Sequence, residues 1–242
     1  TYGAGKKRPA FQVDVGQLTF DAEGTEGGRF HSRKAHVPPG PSGVTIGRGY
    51  DLGQHTARQI VSDMVAAGVP KEKATRFADA AGLKSDGAMA WVRRNAALVG
   101  DITADQQEAL FDRTYGEMAK DVQRISDKKD VVKRYGEADL ETMTPAIKDT
   151  LVDLRYRGDY TGGAREKVQE AAADNDLLGV TDSLTDRKQW KNVPEDRFRR
   201  RAAYLREAEI QAEGKAYGYT GMPMEHGLPS LAEMKKEAAR KR

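Results

Sequence analysis

The segment Ser42-Gly43-Val44-Thr45-Ile46-Gly47-Arg48-Gly49-Tyr50-Asp51-Leu52-Gly53 constrains this chain more than any other stretch. Glycines interrupt a run of β-branched and aromatic residues, a composition that favours two short strands around a tight turn. Glycine accepts positive φ and lets the backbone approach a neighbour closely. Thr45 and Asp51 are therefore expected on a stiff hairpin that presents a hydroxyl and a carboxylate. Upstream, Asp21-Ala22-Glu23-Gly24-Thr25-Glu26-Gly27-Gly28 forms a second acidic spot. Glycosidic-bond hydrolysis asks for such a pairing: one protonated carboxyl for the leaving oxygen, and a second polar group for water or the developing positive charge. Glu23 follows Leu18, Phe20 and Ala22, apolar support that favours a retained proton. Glu26 lies between glycines and is expected to be more solvated; from this spot alone the favoured alternative is that both glutamates are exposed helix-end charges beside turn glycines.

The rest of the chain is read around that hairpin. Val15 to Ala22 predicts a short helix that closes near Glu23-Gly24, with Gly16 weakening its start. From Gly27 to Asp51 the helical period disappears, and Pro38-Pro39-Gly40-Pro41 marks an irregular loop beside the small sheet. Thr56 is the expected N-cap of a helix over 57–67, stopped by Gly68 and Pro70. Further helices are predicted over 71–81 and 85–97. Thr103 and Gln106 fit a capping box that opens a long helix to about Ile125. Thr144-Pro145 starts one over 146–156, and others follow over 164–173, 177–188 and 194–213. Residues 1–14 read as a flexible basic lead-in and 219–242 as a loosely packed tail. The fold class is thus α+β: a small β-containing lobe over 24–55, a larger helical lobe over 56–218, and a cleft between them where a site would form.

Composition narrows the chemistry. The chain has 242 residues, enough for one large domain or two small ones, with 38% apolar and 32% charged residues. No cysteine is present, which excludes disulfides, thiolate catalysis and cysteine-ligated zinc. Forty Lys+Arg against 37 Asp+Glu give a net charge of +3, a mild preference for polyanions such as cell wall or nucleic acid. No apolar run reaches the roughly 20 residues that span a bilayer, so no stable membrane insertion is expected. No hydrophobic leader opens the sequence, so a cytosolic protein, export without a cleaved signal, or membership of a longer polypeptide is expected. Neither nucleotide-binding glycine fingerprint is met. His31 and His36 lack the acidic spacing of a metal site. Arg197-Phe198-Arg199-Arg200-Arg201 is read as a solvated helix face with Phe198 and Tyr204 turned inward, or as an attractor of anionic wall polymer or lipid headgroups. Aromatic interleaving typical of nucleic-acid binding is absent, so nucleic acid is not an expected partner. Trp91, Trp190, Tyr115 and Tyr156 are expected in the core, and Arg157-Gly158-Asp159 at a helix end.

Asp21-Ala22-Glu23-Gly24, then Ser32-Arg33, His36, Pro38 and the segment from Ser42 to Gly53, resemble the catalytic lobe of phage-type lysozymes. The resemblance is closest to the pesticin-like branch of these muramidases, found in bacteriocins and type VI secretion effectors. Thr-Ile-Gly-x-Gly is the shared hairpin signature, and Gly49-Tyr50-Asp51-Leu52-Gly53 is the pesticin-like part. Asp105-Gln106-Gln107 with Leu110, and the segment from Leu151 to Gly158, resemble that family's helical lobe. The likeness covers roughly residues 15–215, with strong motifs only in the first third.

The resemblance implies a lysozyme-like fold, with the hairpin lobe packed on the helical lobe. It implies hydrolysis of the β-1,4 bond between N-acetylmuramic acid and N-acetylglucosamine in peptidoglycan, without metal or cofactor. The general acid falls on Glu23, and the water-holding threonine falls on Thr45. The pesticin-like carboxylate six positions beyond that threonine falls on Asp51. Phage lysozymes carry an aspartate nine positions after the glutamate, where this chain has Ser32. Asp51 is thus the first choice for the second carboxylate and Glu26 the second, with Ser32 as a hydrogen-bonding residue. His36, Arg48 and Tyr50 are the expected substrate contacts, with loop packing the alternative for His36. Carboxyl groups about 6.5–9.5 Å apart would give inversion and about 5–5.5 Å retention. The implied partners are peptidoglycan glycan strands and a cognate immunity protein. The implied setting is a monomer secreted, or delivered to the periplasm of a target bacterium. The alternative is a non-catalytic peptidoglycan-binding module, for which the missing carboxylate at Ser32 argues.

Overall fold

The computed structural model describes residues 12–27 and 31–216. Most of the lead-in and the whole expected tail lie outside them. Ten α-helices and one two-stranded antiparallel sheet are present among the described residues, an α+β chain that is mostly helical. Two compact units part at Val122/Gln123, inside a long helix.

The first unit holds α1 (Gln17–Ala22), β1 (Thr45–Ile46), β2 (Tyr50–Asp51), a 3₁₀ turn (Leu52–Gln54), α2 (Ala57–Ala66), α3 (Lys71–Ala78), α4 (Ser85–Val99) and most of α5 (Ala104–Ser126). Local signals account for most of these ends. The Thr56 hydroxyl accepts from the Gln59 N–H while the Gln59 side chain reaches back, closing a capping box on α2. Thr103 and Gln106 repeat the arrangement at α5. The hairpin has no core of its own. Val44, Ile46, Tyr50 and Leu52 join Ile60, Met64, Phe77, Trp91 and Leu110 in one apolar cluster.

The second unit holds α6 (Lys129–Tyr135), α7 (Pro145–Arg157), α8 (Gly162–Ala173), α9 (Leu177–Thr185) and α10 (Glu195–Ala216). Helix α6 has no counterpart in the sequence reading. Its seven residues are mostly charged, and Val131 is its one buried side chain, so it carries no apolar stripe to detect. The Arg197–Arg201 run departs from the expected solvated face. Arg197 and Arg201 are buried, four positions apart on one side of α10, and both bond the fully buried Asp153 of α7. Arg197 does so through Nε at 3.1 Å and Nη2 at 2.5 Å, Arg201 through Nε at 2.6 Å. Arg201 Nη2 continues to Asp159 at 3.1 Å, just past the α7 end at Gly158. Arg199 and Arg200 are exposed, and Phe198 and Tyr204 are half-buried. Trp91, Tyr115 and Trp190 are buried as expected, and Tyr156 is half-buried.

Removing one partner from such a cluster strands a buried charge, which costs about 3–5 kcal/mol. Asp153→Ala is expected to lose that much in urea denaturation. Glu195→Ala, which breaks the exposed pair with Arg199, should lose no more than about 1 kcal/mol.

Candidate active site

Strand pairing sets the first part of the site. Thr45 lies opposite Asp51, and Ile46 opposite Tyr50. On its other side Thr45 bridges His36, with Thr45 N donating to His36 O at 2.8 Å and His36 N donating to Thr45 O at 3.0 Å. Directly opposed residues share a face, so His36, Thr45 and Asp51 form a row across one side. Their neighbours Ala35, Val37, Val44, Ile46, Tyr50 and Leu52 supply the apolar cluster on the other side. The Leu52 N–H to Val44 O bond of 2.8 Å flanks the Thr45–Asp51 pair. It is therefore the narrow kind of pair, whose Cβ atoms stand about 4.5–5.5 Å apart.

Each member of the row keeps an unused polar atom. The Thr45 hydroxyl lies 3.5 Å from Gly43 O, too far to be tied down. Asp51 Oδ1 accepts from Gly53 N at 2.8 Å and closes the 3₁₀ turn, while Oδ2 accepts nothing among the described residues. His36 Nδ1 lies 2.9 Å from Lys34 O, so that nitrogen carries a proton and Nε2 is the ring's remaining polar atom. The backbone beneath Asp51 is crowded. A Cβ at Gly43 would overlap Asp51 Oδ1 and come within 2.7 Å of Gly53 Cα.

Arg48, at the centre of the hairpin turn, brings the acidic segment to the sheet. Its guanidinium is buried, and Nη1 donates to Phe20 O at 2.9 Å and Gly24 O at 2.6 Å. Those carbonyls bracket Glu23, the half-buried residue that caps α1 and donates its N–H to Thr19 O at 2.9 Å. Arg48 also lies 4.3 Å over the Phe20 ring. A Cβ at Gly24 would stand 2.6 Å from Arg48 Cδ and 2.8 Å from Ser32 Cβ, so this approach requires glycine. Arg48 thus stands as a positioning group inside the lobe, with its guanidinium committed to protein acceptors.

Glu26 differs most from expectation, being engaged rather than loosely solvated. Oε1 accepts from Gln107 Nε2 at 2.8 Å and Arg48 Nη2 at 3.1 Å, and Oε2 accepts from Arg33 Nε at 2.9 Å. Burial pushes this carboxyl up, but the bonds from Gln107, Arg33 and Arg48 outweigh it and hold the group below its ordinary 4.5. Ser32 is buried, donates to Thr25 O at 2.9 Å, and lies 3.5 Å from Glu26 Oε1. Tyr50 is buried as well, its hydroxyl donating to Asp63 Oδ2 at 2.8 Å, and burial pushes its own ionisation far up. His36, Thr45 and Asp51 therefore form the polar row, with Thr45 buried within it, and Glu23 lies in the segment that Arg48 holds to the hairpin turn, while Ser32, Arg48 and Tyr50 are buried and the half-buried Glu26 is tied to Arg48.

The chain belongs to the family described as Domain of unknown function (DUF8812). The match spans residues 16–202, which takes in the acidic segment, the hairpin and the helices from α1 to the first third of α10. No curated protein matches this chain.

Two supporting residues were missed in the sequence, Arg33 and Gln107. Gln107 is fully buried on the same side of α5 as Leu110, a glutamine on an apolar stripe. That position alone marked it as a residue needing an internal partner.

A carboxyl held below its ordinary value stabilises the fold above that value and ceases to do so as pH falls through the folded one. Glu26→Gln is expected to cost about 1–3 kcal/mol near pH 7. The gap between wild type and variant should narrow steadily below about pH 4.5 in denaturation measured across pH. A gap that is constant from pH 7 to pH 3 would contradict the charge-based role.

Proposed function

We propose that this protein is a muramidase that hydrolyses the β-1,4 bond between N-acetylmuramic acid and N-acetylglucosamine in peptidoglycan, on a lysozyme-like fold. The single observation that carries this proposal is the row of His36, Thr45 and Asp51 across one sheet face, beside the segment of Glu23 that Arg48 holds to the hairpin turn. Glu23 donates its carboxyl proton to the glycosidic oxygen as the bond to the anomeric carbon breaks. The Thr45 hydroxyl and Asp51 Oδ2 hold the water that attacks that carbon, and its proton passes to Asp51. His36 offers Nε2 to a sugar hydroxyl or amide. Asp51 rather than Glu26 takes the second carboxylate's part, because Glu26 is already engaged by two guanidiniums and an amide. The same proposal carries delivery to the periplasm of a target bacterium as a monomer, with a cognate immunity protein in the producer.

A second function, a non-catalytic peptidoglycan-binding module, is favoured by one observation: position 32 carries a buried serine and no carboxylate. Clearing of purified sacculi with muropeptide analysis separates the two. Wild type is expected to clear the suspension and release products with reducing-end muramic acid. Glu23→Gln and Asp51→Asn should each slow clearing by about 10²–10⁴-fold. Full activity in Glu23→Gln would remove the assigned acid. Binding without clearing by the wild type would favour the module, and anhydro-sugar products would point to a lytic transglycosylase.

A further inference from the structure

The first unit contains a second group of ionisable side chains, which glycan cleavage does not use. His55 follows the 3₁₀ turn, Asp63 lies on α2 and Glu117 on α5. One ligand atom from each lies within 4.8 Å of the other two, and His55 Nε2 is 3.8 Å from Glu117 Oε2. Donors around a zinc-sized ion sit about 2.0–2.2 Å from it, and therefore about 3–4 Å from one another. The half-exposed Glu117 has the freedom to close that difference.

The surroundings orient these atoms as ligands. His55 Nδ1 lies 2.8 Å from Asp51 O, and a carbonyl only accepts, so Nδ1 carries a proton and Nε2 is the nitrogen turned to Glu117. Metal-bound histidines are held by this same bond. The ring stacks on Tyr50 with centroids 4.5 Å apart, and the Tyr50 hydroxyl fixes Asp63 Oδ2 at 2.8 Å. Asp63 is only 2% exposed. Charge is also uneven here. Asp63 and Glu117 face one cation, Arg113, whose Nε is 2.6 Å from Asp63 Oδ1 and 3.9 Å from Glu117 Oε1. Two carboxylates against one guanidinium leave an excess of negative charge beside the imidazole.

We propose that His55, Asp63 and Glu117 bind a divalent metal ion of the zinc class, the half-exposed Arg113 moving off Asp63 to admit it. One imidazole nitrogen and two carboxylate oxygens suit Zn²⁺ and leave a fourth position for water. The ion would tie the exit of β2 to α2 and α5. This departs from the metal-free expectation of the sequence, and it stands whether or not the protein cleaves glycan.

Zn²⁺ titration of the full chain by calorimetry, with Co²⁺ absorption as a spectroscopic check, tests this. One equivalent is expected to bind. His55→Gln and Glu117→Gln should each weaken binding by about tenfold or more, while Arg113→Gln, which removes the competing cation, should bind at least as tightly as wild type. No saturable binding would overturn the proposal, as would unchanged affinity in both ligand variants. Weakening by Arg113→Gln as large as theirs would also overturn it, leaving an ion-pair cluster only.

Discussion

A guanidinium sealed inside a protein must find acceptors for its N–H groups, because water no longer supplies them. Nη1 of Arg48 finds two carbonyls from the end of α1, Nη2 finds the carboxylate of Glu26, and the flat face of the group covers the Phe20 ring. The side chain starts in the hairpin turn and ends among the acidic segment, so a helix of six residues and strands of two residues each become one body. Neither element is long enough to stand alone. Gly24 leaves the space through which Arg48 passes, and Arg33 and Gln107 complete the set around Glu26. Truncating Arg48 would leave a partly buried carboxylate with fewer partners and free the backbone on both sides of Glu23.

The same device recurs in the second unit, where Asp153 is fully buried between two arginines of α10. The basic excess of the sequence is therefore partly interior. Arg48, Arg197 and Arg201 are consumed by folding and contribute little to any field that draws a polyanion to the surface. Attraction by the Arg197–Arg201 run comes down to the exposed Arg199 and Arg200, and Glu195 already pairs with the former.

Much of this was legible in the residues. Thr56, Thr103 and Thr144-Pro145 mark helix starts by local hydrogen bonding or a fixed φ, and those helices begin where the signals stand. The glycine-studded stretch carries a hairpin with Thr45 opposite Asp51, because alternation of apolar and polar side chains fixes register. What was not legible is long-range pairing of charge. Nothing local tells that Glu26 meets Gln107, 81 positions away, or that Arg197 and Arg201 turn inward. Residue type marks Arg48 as polar and therefore as a surface contact, yet its partners lie in a segment more than twenty positions earlier. The missed helix α6 depends on tertiary context in the same way, with one buried side chain and little intrinsic pattern.

The central claim is that Glu23 and the row of His36, Thr45 and Asp51 serve one bound sugar chain. A crystal structure of Glu23→Gln soaked with a peptidoglycan tetrasaccharide tests it most directly. The glycosidic oxygen is predicted at the position-23 side chain, with the anomeric carbon facing Thr45 and Asp51 and a sugar substituent on His36. Density for the sugar on any surface that leaves these four residues untouched would contradict the account.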